Sequence, residues 1–120
     1  MKSFLRRSIN KFRYAFEGLF QGICHDFSIT LQLLIGLCVI VFCLFVDLTQ
    51  WEWCIILVVI GAVIALEFVN SAIESVVDLV SPDYHILAKK AKDYAAAAVL
   101  VMSIAALVIG IIIIGGKIIW

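Results

Sequence analysis

Three apolar runs separated by charged segments organise this chain. Phe27 to Val46 is 20 consecutive residues without a charge. At 1.5 Å per residue, a helix of that length reaches about 30 Å, the thickness of a bilayer's hydrocarbon core. Tyr94 to Gly116 is 23 uncharged residues, also enough to cross. Between them, Trp53 to Leu66 gives only 14, about 21 Å as a helix. A crossing helix there has to continue through Glu67, Asn70, Ser71 and Glu74. The middle span therefore carries polar groups inside the membrane or at its edge. Ahead of the first run, Phe4, Leu5, Ile9, Phe12, Ala15, Phe16, Leu19 and Phe20 recur at helical spacing, with Arg6, Arg7, Asn10, Lys11, Arg13 and Glu17 on the remaining positions. That is a basic amphipathic helix, expected on a membrane surface against anionic lipid. Gly18 and Gly22 offer a place for the chain to turn into the first span. The pattern predicts one all-α membrane domain over 1–120. It has a surface helix over 3–22 and three transmembrane helices over 27–46, 52–80 and 90–118.

Composition agrees with that pattern. Of 120 residues, 65% are hydrophobic and 15% charged, against roughly half and a quarter in a soluble domain. An ordinary soluble domain and a disordered chain are both excluded. Nine basic and nine acidic residues balance to zero, and no compact basic domain remains outside the apolar runs; nucleic-acid binding is therefore not expected. Cys24, Cys38, Cys43 and Cys54 have neither CxxC nor metal-ligand spacing and read as buried thiols. The first run lacks a small-x-small cleavage site after it, so it reads as a span and not as a cleaved signal peptide. Charge placement orients the chain. Lys2, Arg6, Arg7, Lys11 and Arg13 precede the first run, and Lys89, Lys90 and Lys92 precede the last. The segment Asp47–Glu52 has no basic residue. The positive-inside rule then puts the amino terminus and the 81–92 loop in the cytoplasm, with the 47–52 loop and the carboxyl terminus outside. Trp51, Trp53 and Trp120 fall at the outer interface, where an aromatic belt sits.

The middle helix carries the candidate chemistry. With Glu67 at 0° on a helix of about 100° per residue, Asn70 lies near −60°, Ser71 near +40°, Glu74 near −20° and Asp78 near +20°. All five share one face. Carboxylates at this depth are expensive, face a bundle interior or a wet cavity, and carry function. The set is all oxygen, which suits Mg²⁺ held by one or two carboxylates and substrate phosphates. Ser81 and Pro82 break the helix. Asp83, Tyr84 and His85 follow, then Lys89, Lys90, Lys92 and Asp93. Lysines are point charges suited to phosphate; taken alone they would serve equally as topogenic charges. Carboxylates and lysines together at the inner boundary suit transfer from a cytosolic phosphate donor to a membrane-held acceptor. Ala95 to Ala98, Ser103, Ala105, Ala106 and Gly110 allow close helix approach. Three thin helices enclose a polar site poorly, so self-association is expected.

The stretch Glu67-Phe68-Val69-Asn70-Ser71-Ala72-Ile73-Glu74-Ser75-Val76-Val77-Asp78 closely resembles the signature of the small bacterial diacylglycerol kinase and undecaprenol kinase family. Ser81-Pro82-Asp83-Tyr84-His85, Ala88-Lys89-Lys90-Ala91-Lys92-Asp93 and Ala96-Ala97-Ala98-Val99-Leu100 extend the resemblance. It implies an integral membrane homotrimer that transfers the ATP γ-phosphate to a lipid hydroxyl with Mg²⁺. Glu67 then resembles the base facing that hydroxyl, and Asn70 a member of the catalytic polar network. Glu74 resembles a metal ligand, and Asp78, Lys92 and Asp93 resemble nucleotide-site residues. Where the family usually has Asn-Glu after the surface helix, this chain has His25-Asp26. Asp26 keeps the charge with a shorter reach and is the expected second metal ligand; His25 is either an interfacial donor or an incidental surface histidine. The motif wording is similar to the Gram-positive branch, which implies undecaprenol as acceptor, with diacylglycerol as the alternative. A non-catalytic membrane scaffold and a small proton-coupled carrier using Glu67 and Glu74 are the readings from other classes.

The charge asymmetry generates a topology prediction. In a cysteine-depleted background, a cysteine at residue 50 should be labelled by an impermeant maleimide in intact cells. One placed near the amino terminus should be labelled only after lysis. The reverse pattern rejects the orientation.

Overall fold

The computed structural model describes residues 1–119 and is entirely helical within them. Helix α1 runs Lys2–His25, α2 Phe27–Cys43, α3 Gln50–Val80 and α4 Ile86–Ile118. Trp120, expected in the outer aromatic belt, lies outside the described residues; Trp51 is exposed and Trp53 half-buried.

Local chemistry sets each boundary. α1 and α2 meet at a 90° bend, and the turning residue is Asp26. Its backbone is extended (φ −111°, ψ 112°). One carboxylate oxygen accepts from the Ser28 and Ile29 amides at 3.0 and 3.3 Å. Asp is among the best N-caps because its short side chain reaches those orphan amides. The Thr30 hydroxyl donates to the carbonyls of Ile23 and Asp26 at 2.7 and 3.0 Å, which ties the first turn of α2 back to the end of α1. The turn is therefore not made at Gly18 or Gly22, and no described glycine has positive φ. Gly22 instead lies inside α1, buried, where an added Cβ would come within 2.4 Å of the Phe68 ring on α3. α1 thus continues three residues beyond its expected end at 22.

α2 ends as a helix at Cys43, three residues short of the expected 46. The amides of Phe45 and Val46 bond three residues back, to Phe42 and Cys43, so the last turn tightens as the chain reverses before Asp47. Thr49 and Glu52 then form a capping box. The Thr49 hydroxyl accepts from the Glu52 amide at 3.2 Å, and the Glu52 carboxylate accepts from the Thr49 amide at 2.9 Å. This starts α3 at Gln50. Pro82 disfavours helical geometry at Ser81 and ends α3 at Val80. His85 Nδ1 accepts from the Leu87 amide at 3.1 Å and starts α4 at Ile86, four residues before the expected 90.

α3 packs against both α2 and α4. Ile56, Val59, Val63 and Glu67 form its buried stripe. Ile29, Gly36 and Cys43, each seven residues apart, are the buried positions of α2; Ala95 and Val99 are those of α4. At Gly36 the missing side chain lets α2 and α3 approach, since a Cβ there would lie 2.8 Å from Ile60 Cγ2. Lys117 near the end of α4 pairs with Glu52 at 3.0 Å, which fixes the antiparallel α3–α4 hairpin at one end. Most remaining apolar side chains point outward, among them Leu37, Leu57, Val58, Leu100, Leu107 and Ile111. A lipid solvent accounts for such a surface. α3 and α4 are each long and apolar enough to cross a membrane; α1 and α2 add a third candidate only as a bent pair. The protein is thus all-α with two to three membrane-length helices. The same outward packing corrects the reading of the cysteines. Only Cys43 is buried, and Cys24, Cys38 and Cys54 are exposed free thiols. Their apolar neighbours in sequence form a lipid-facing surface, not a protein core.

The Gly36 contact yields a stability prediction. Gly36→Leu should destabilise the purified protein by about 1–3 kcal/mol, the usual range for overpacking. Ile60→Ala in the same chain should recover part of the loss, because the two residues share one contact. Unfolding by denaturing detergent, followed by circular dichroism, measures both.

Candidate functional site

α3 is the spine of the site. Glu67 is buried at 7% exposure, the one buried charged side chain among the described residues. Its Oε1 accepts from Gln32 Nε2 on α2 at 3.4 Å. One turn on, Asn70 Nδ2 donates to Glu74 Oε1 at 3.3 Å. Asn70 Oδ1 is buried and has no hydrogen-bond partner within the chain. Ser71 Oγ donates to Asp26 Oδ2 at 2.6 Å, which joins the α1–α2 bend to α3. Ser75 Oγ donates back to the Ser71 carbonyl at 3.0 Å. Glu74 itself is exposed.

At the end of α3 the charges become paired. Lys92 Nζ lies 2.5 Å from Asp78 Oδ1 and joins α4 to α3. Lys89 Nζ lies 2.6 Å from Asp93 Oδ2, one turn apart on α4. Lys92 and Asp93 also line an open cleft of about 390 Å³ with Asp83, Tyr84, His85 and Lys89. Ser81 Oγ, donating to the Asp83 carbonyl at 2.9 Å, shapes the loop that forms one side of that cleft. Lys90 is turned away from these pairs, with its ammonium 5.6 Å from the centre of the Tyr94 ring.

All seven residues expected from the sequence therefore lie along α3 or at the segments packed on it. Asp26 meets the stripe at Ser71, Glu67 and Asn70 lie within it, Glu74 pairs with Asn70, and Asp78 pairs with Lys92. Asp93 is on the cleft beside them. The donor set at the middle of the stripe, Asp26 and Glu74 carboxylates with the unpartnered Asn70 carbonyl, is all oxygen and fits Mg²⁺. No group of three His, Cys, Asp or Glu that could hold a metal by itself occurs among the described residues. A carboxylate pair completed by phosphate oxygens is the arrangement the residues allow. His25, by contrast, is an exposed residue at the end of α1.

Three pairings could not be read from the sequence: Gln32 with Glu67, Ser71 with Asp26, and Lys89 with Asp93. Gln32 stood near the start of an apolar run, where a polar side chain is inexpensive. Its signal was being an amide within that run. Ser71 shared the Glu67 face but had no visible partner until α1 and α2 folded over it. Lys89 was grouped with Lys90 and Lys92 as one cluster, whereas only Lys89 and Lys92 hold carboxylates.

Comparison with known proteins places these residues in a family context. Residues 13–114 match the family described as prokaryotic diacylglycerol kinase. The chain is 46% identical over 77 residues to the undecaprenol kinase of Bacillus subtilis strain 168, covering 63% of each chain. It is 38% identical over 100 residues to a diacylglycerol kinase of Synechocystis, covering 82% of this chain and 57% of that one. The matched region thus spans less than two thirds of the length of these two relatives. A diacylglycerol kinase of Haemophilus influenzae is 30% identical over 108 residues, which cover 90% of this chain and 89% of the relative. The carboxylate stripe of α3 and the lysine-bearing start of α4 both fall inside the matched region, and the chain belongs to the prokaryotic diacylglycerol kinase family.

Proposed function

We propose that this protein is an ATP-dependent lipid kinase of the bacterial cell membrane that phosphorylates the hydroxyl of undecaprenol. The observation that carries the reading is the depth arrangement on α3. A buried carboxylate, Glu67, lies about 10 Å along the helix from Glu74 and farther still from the Asp78–Lys92 pair. One end of the stripe is open to water and rich in cations; the other sits among apolar side chains. A lipid alcohol and a water-soluble phosphate donor would approach such a stripe from opposite directions.

The chemistry follows from those positions. Glu67, held by the Gln32 amide, accepts the proton of the lipid hydroxyl. The hydroxyl oxygen forms a bond to the γ-phosphorus of ATP as the bond from that phosphorus to the bridging oxygen breaks. ADP leaves, and the proton remains on Glu67 until it exchanges to solvent. Asp26 and Glu74 would hold Mg²⁺, which neutralises charge on the phosphate oxygens. Asn70 orients the Glu74 carboxylate, and its free carbonyl oxygen offers one further acceptor. Lys92, Asp78 and Asp93 line the donor side. Phosphoryl transfer depends chiefly on positioning and electrostatics, which this set supplies without a covalent intermediate on the protein.

The match to an undecaprenol kinase over 77 residues supports undecaprenol as acceptor. The diacylglycerol kinases among the relatives support diacylglycerol as the second reading. Small residues along α4 allow close helix approach and support self-association, and the family resemblance implies a homotrimer. The amino terminus and the 81–92 loop, which carry eight of the nine Lys and Arg residues, face the cytoplasm in this reading, where ATP is available.

Glu67→Gln should lower lipid phosphorylation at least about 100-fold, a size typical of general-base loss, with nucleotide binding in the same detergent unchanged. Near-normal turnover would sink the base assignment, and lost nucleotide binding would move Glu67 to the donor side. Glu74→Gln should abolish turnover at Mg²⁺ concentrations that saturate the wild type while leaving the assembly intact. Phosphate transfer from radiolabelled ATP to purified undecaprenol or diacylglycerol, compared side by side, identifies the acceptor. Labelling of neither would reject the kinase reading.

A further inference from the structure

We propose that Ser71 is a positioning residue for the metal site, acting through Asp26. The inference deepens the phosphotransfer reading and rests on it. Asp26 divides its two carboxylate oxygens between two helices. Oδ1 caps α2 through the Ser28 and Ile29 amides, and Oδ2 accepts the Ser71 hydroxyl of α3 at 2.6 Å. The first attachment fixes the carboxylate to the bend. The second fixes the bend to the acidic stripe. Held at both ends, the group cannot rotate freely about its terminal bond.

The location of the second attachment matters. Ser71 lies four residues after Glu67 and three before Glu74, on their shared face. Three residues are about 4.5 Å of helix rise, so the bond holds the Asp26 carboxylate within one turn of Glu74 along α3. No other side-chain hydrogen bond among the described residues ties the α1–α2 bend to α3; Thr30 bonds only within the bend. The remaining contact there is the apolar approach of Gly22 to Phe68. That contact sets how closely the elements pack but does not direct a carboxylate. Removing one hydroxyl therefore leaves the helices packed, while it releases the oxygen aimed at the stripe and lets the carboxylate rotate, which loosens its hold on the Ser28 and Ile29 amides.

The full chain in detergent micelles tests this with Ser71→Ala and Ser71→Thr. Three quantities are read. They are hydrogen exchange at the Ser28 and Ile29 amides, Mn²⁺ binding by electron paramagnetic resonance with a non-hydrolysable ATP analogue, and the Mg²⁺ dependence of lipid phosphorylation. Ser71→Ala should speed exchange at the bend about tenfold and weaken Mn²⁺ binding about tenfold, in keeping with loss of a hydrogen bond to a charged group. The half-saturating Mg²⁺ concentration should rise in parallel, with the maximal rate at saturating Mg²⁺ near wild type. Ser71→Thr, which keeps the hydroxyl, should preserve all three. Faster exchange with unchanged Mn²⁺ binding would reduce Ser71 to a structural tie and overturn the proposal. Unchanged exchange would overturn the tie itself. A wild type that phosphorylates neither lipid, yet binds Mn²⁺ with the analogue in a Ser71-dependent way, would reject the kinase reading and uphold the positioning role. A wild type that takes up no Mn²⁺ would reject both.

Discussion

A carboxylate inside an apolar helix constrains everything around it. On insertion scales, an Asp, Lys or Arg at the centre of a membrane helix costs about 2.5–3.5 kcal/mol, so Glu67 cannot face lipid cheaply. The fold places it where α2 covers α3, at 7% exposure, with an amide donor on it. That covering needs α2 close to α3. Gly36, with no side chain against Ile60, supplies the approach one turn beyond Gln32. The buried spacing of seven on α2 keeps Ile29, Gly36 and Cys43 on one side, a two-turn repeat that returns nearly to the same face.

The bend between α1 and α2 solves a second problem at the same place. A 90° turn between successive helices strands backbone amides at the new helix start. Asp26 and Thr30 satisfy the exposed groups. One residue thereby shapes the turn and brings a charge to α3. An uncharged cap such as Ser or Asn would satisfy the amides but bring no charge.

These two features show which parts of the fold could be read from the sequence. The angular coincidence of Glu67, Asn70, Ser71, Glu74 and Asp78 follows from helix geometry alone, because all five lie on one element. The apolar run lengths gave the helices within a few residues, and the misses occur where side-chain caps or tightened backbone turns set an end. Thr49 and His85 each moved a helix start by a hydrogen bond that periodicity does not report. What needed three dimensions was contact between elements. Gln32 and Glu67 are 35 residues apart, and Asp26 and Ser71 are 45 apart; neither pairing has a sequence period. The exposed cysteines failed for a related reason. In a soluble chain an apolar neighbourhood means interior, whereas in this chain it means the outside.

The depth of Glu67 is set from the two ends of the α3–α4 hairpin. Glu52 pairs with Lys117 at one end and Asp78 with Lys92 at the other. The two pairs are 26 residues apart on α3 (78 minus 52) and 25 apart on α4 (117 minus 92). At the helical rise these are about 39 and 38 Å, nearly equal lengths, so antiparallel helices satisfy both pairs in one register. The separation also approaches the about 40–45 Å of a bilayer with its headgroup layers. Both pairs then sit where water and lipid phosphates meet and the helices between them lie in hydrocarbon. Exposed ion pairs add little stability, so their contribution is registry. Sliding α3 by one turn against α4 would break both pairs at once. Glu67 is 11 residues from Asp78 and 15 from Glu52, which puts it in the half of the membrane nearer the lysine-rich cleft. On the proposed phosphotransfer reading, a lipid hydroxyl in that half would meet a donor held at its edge only while this register holds.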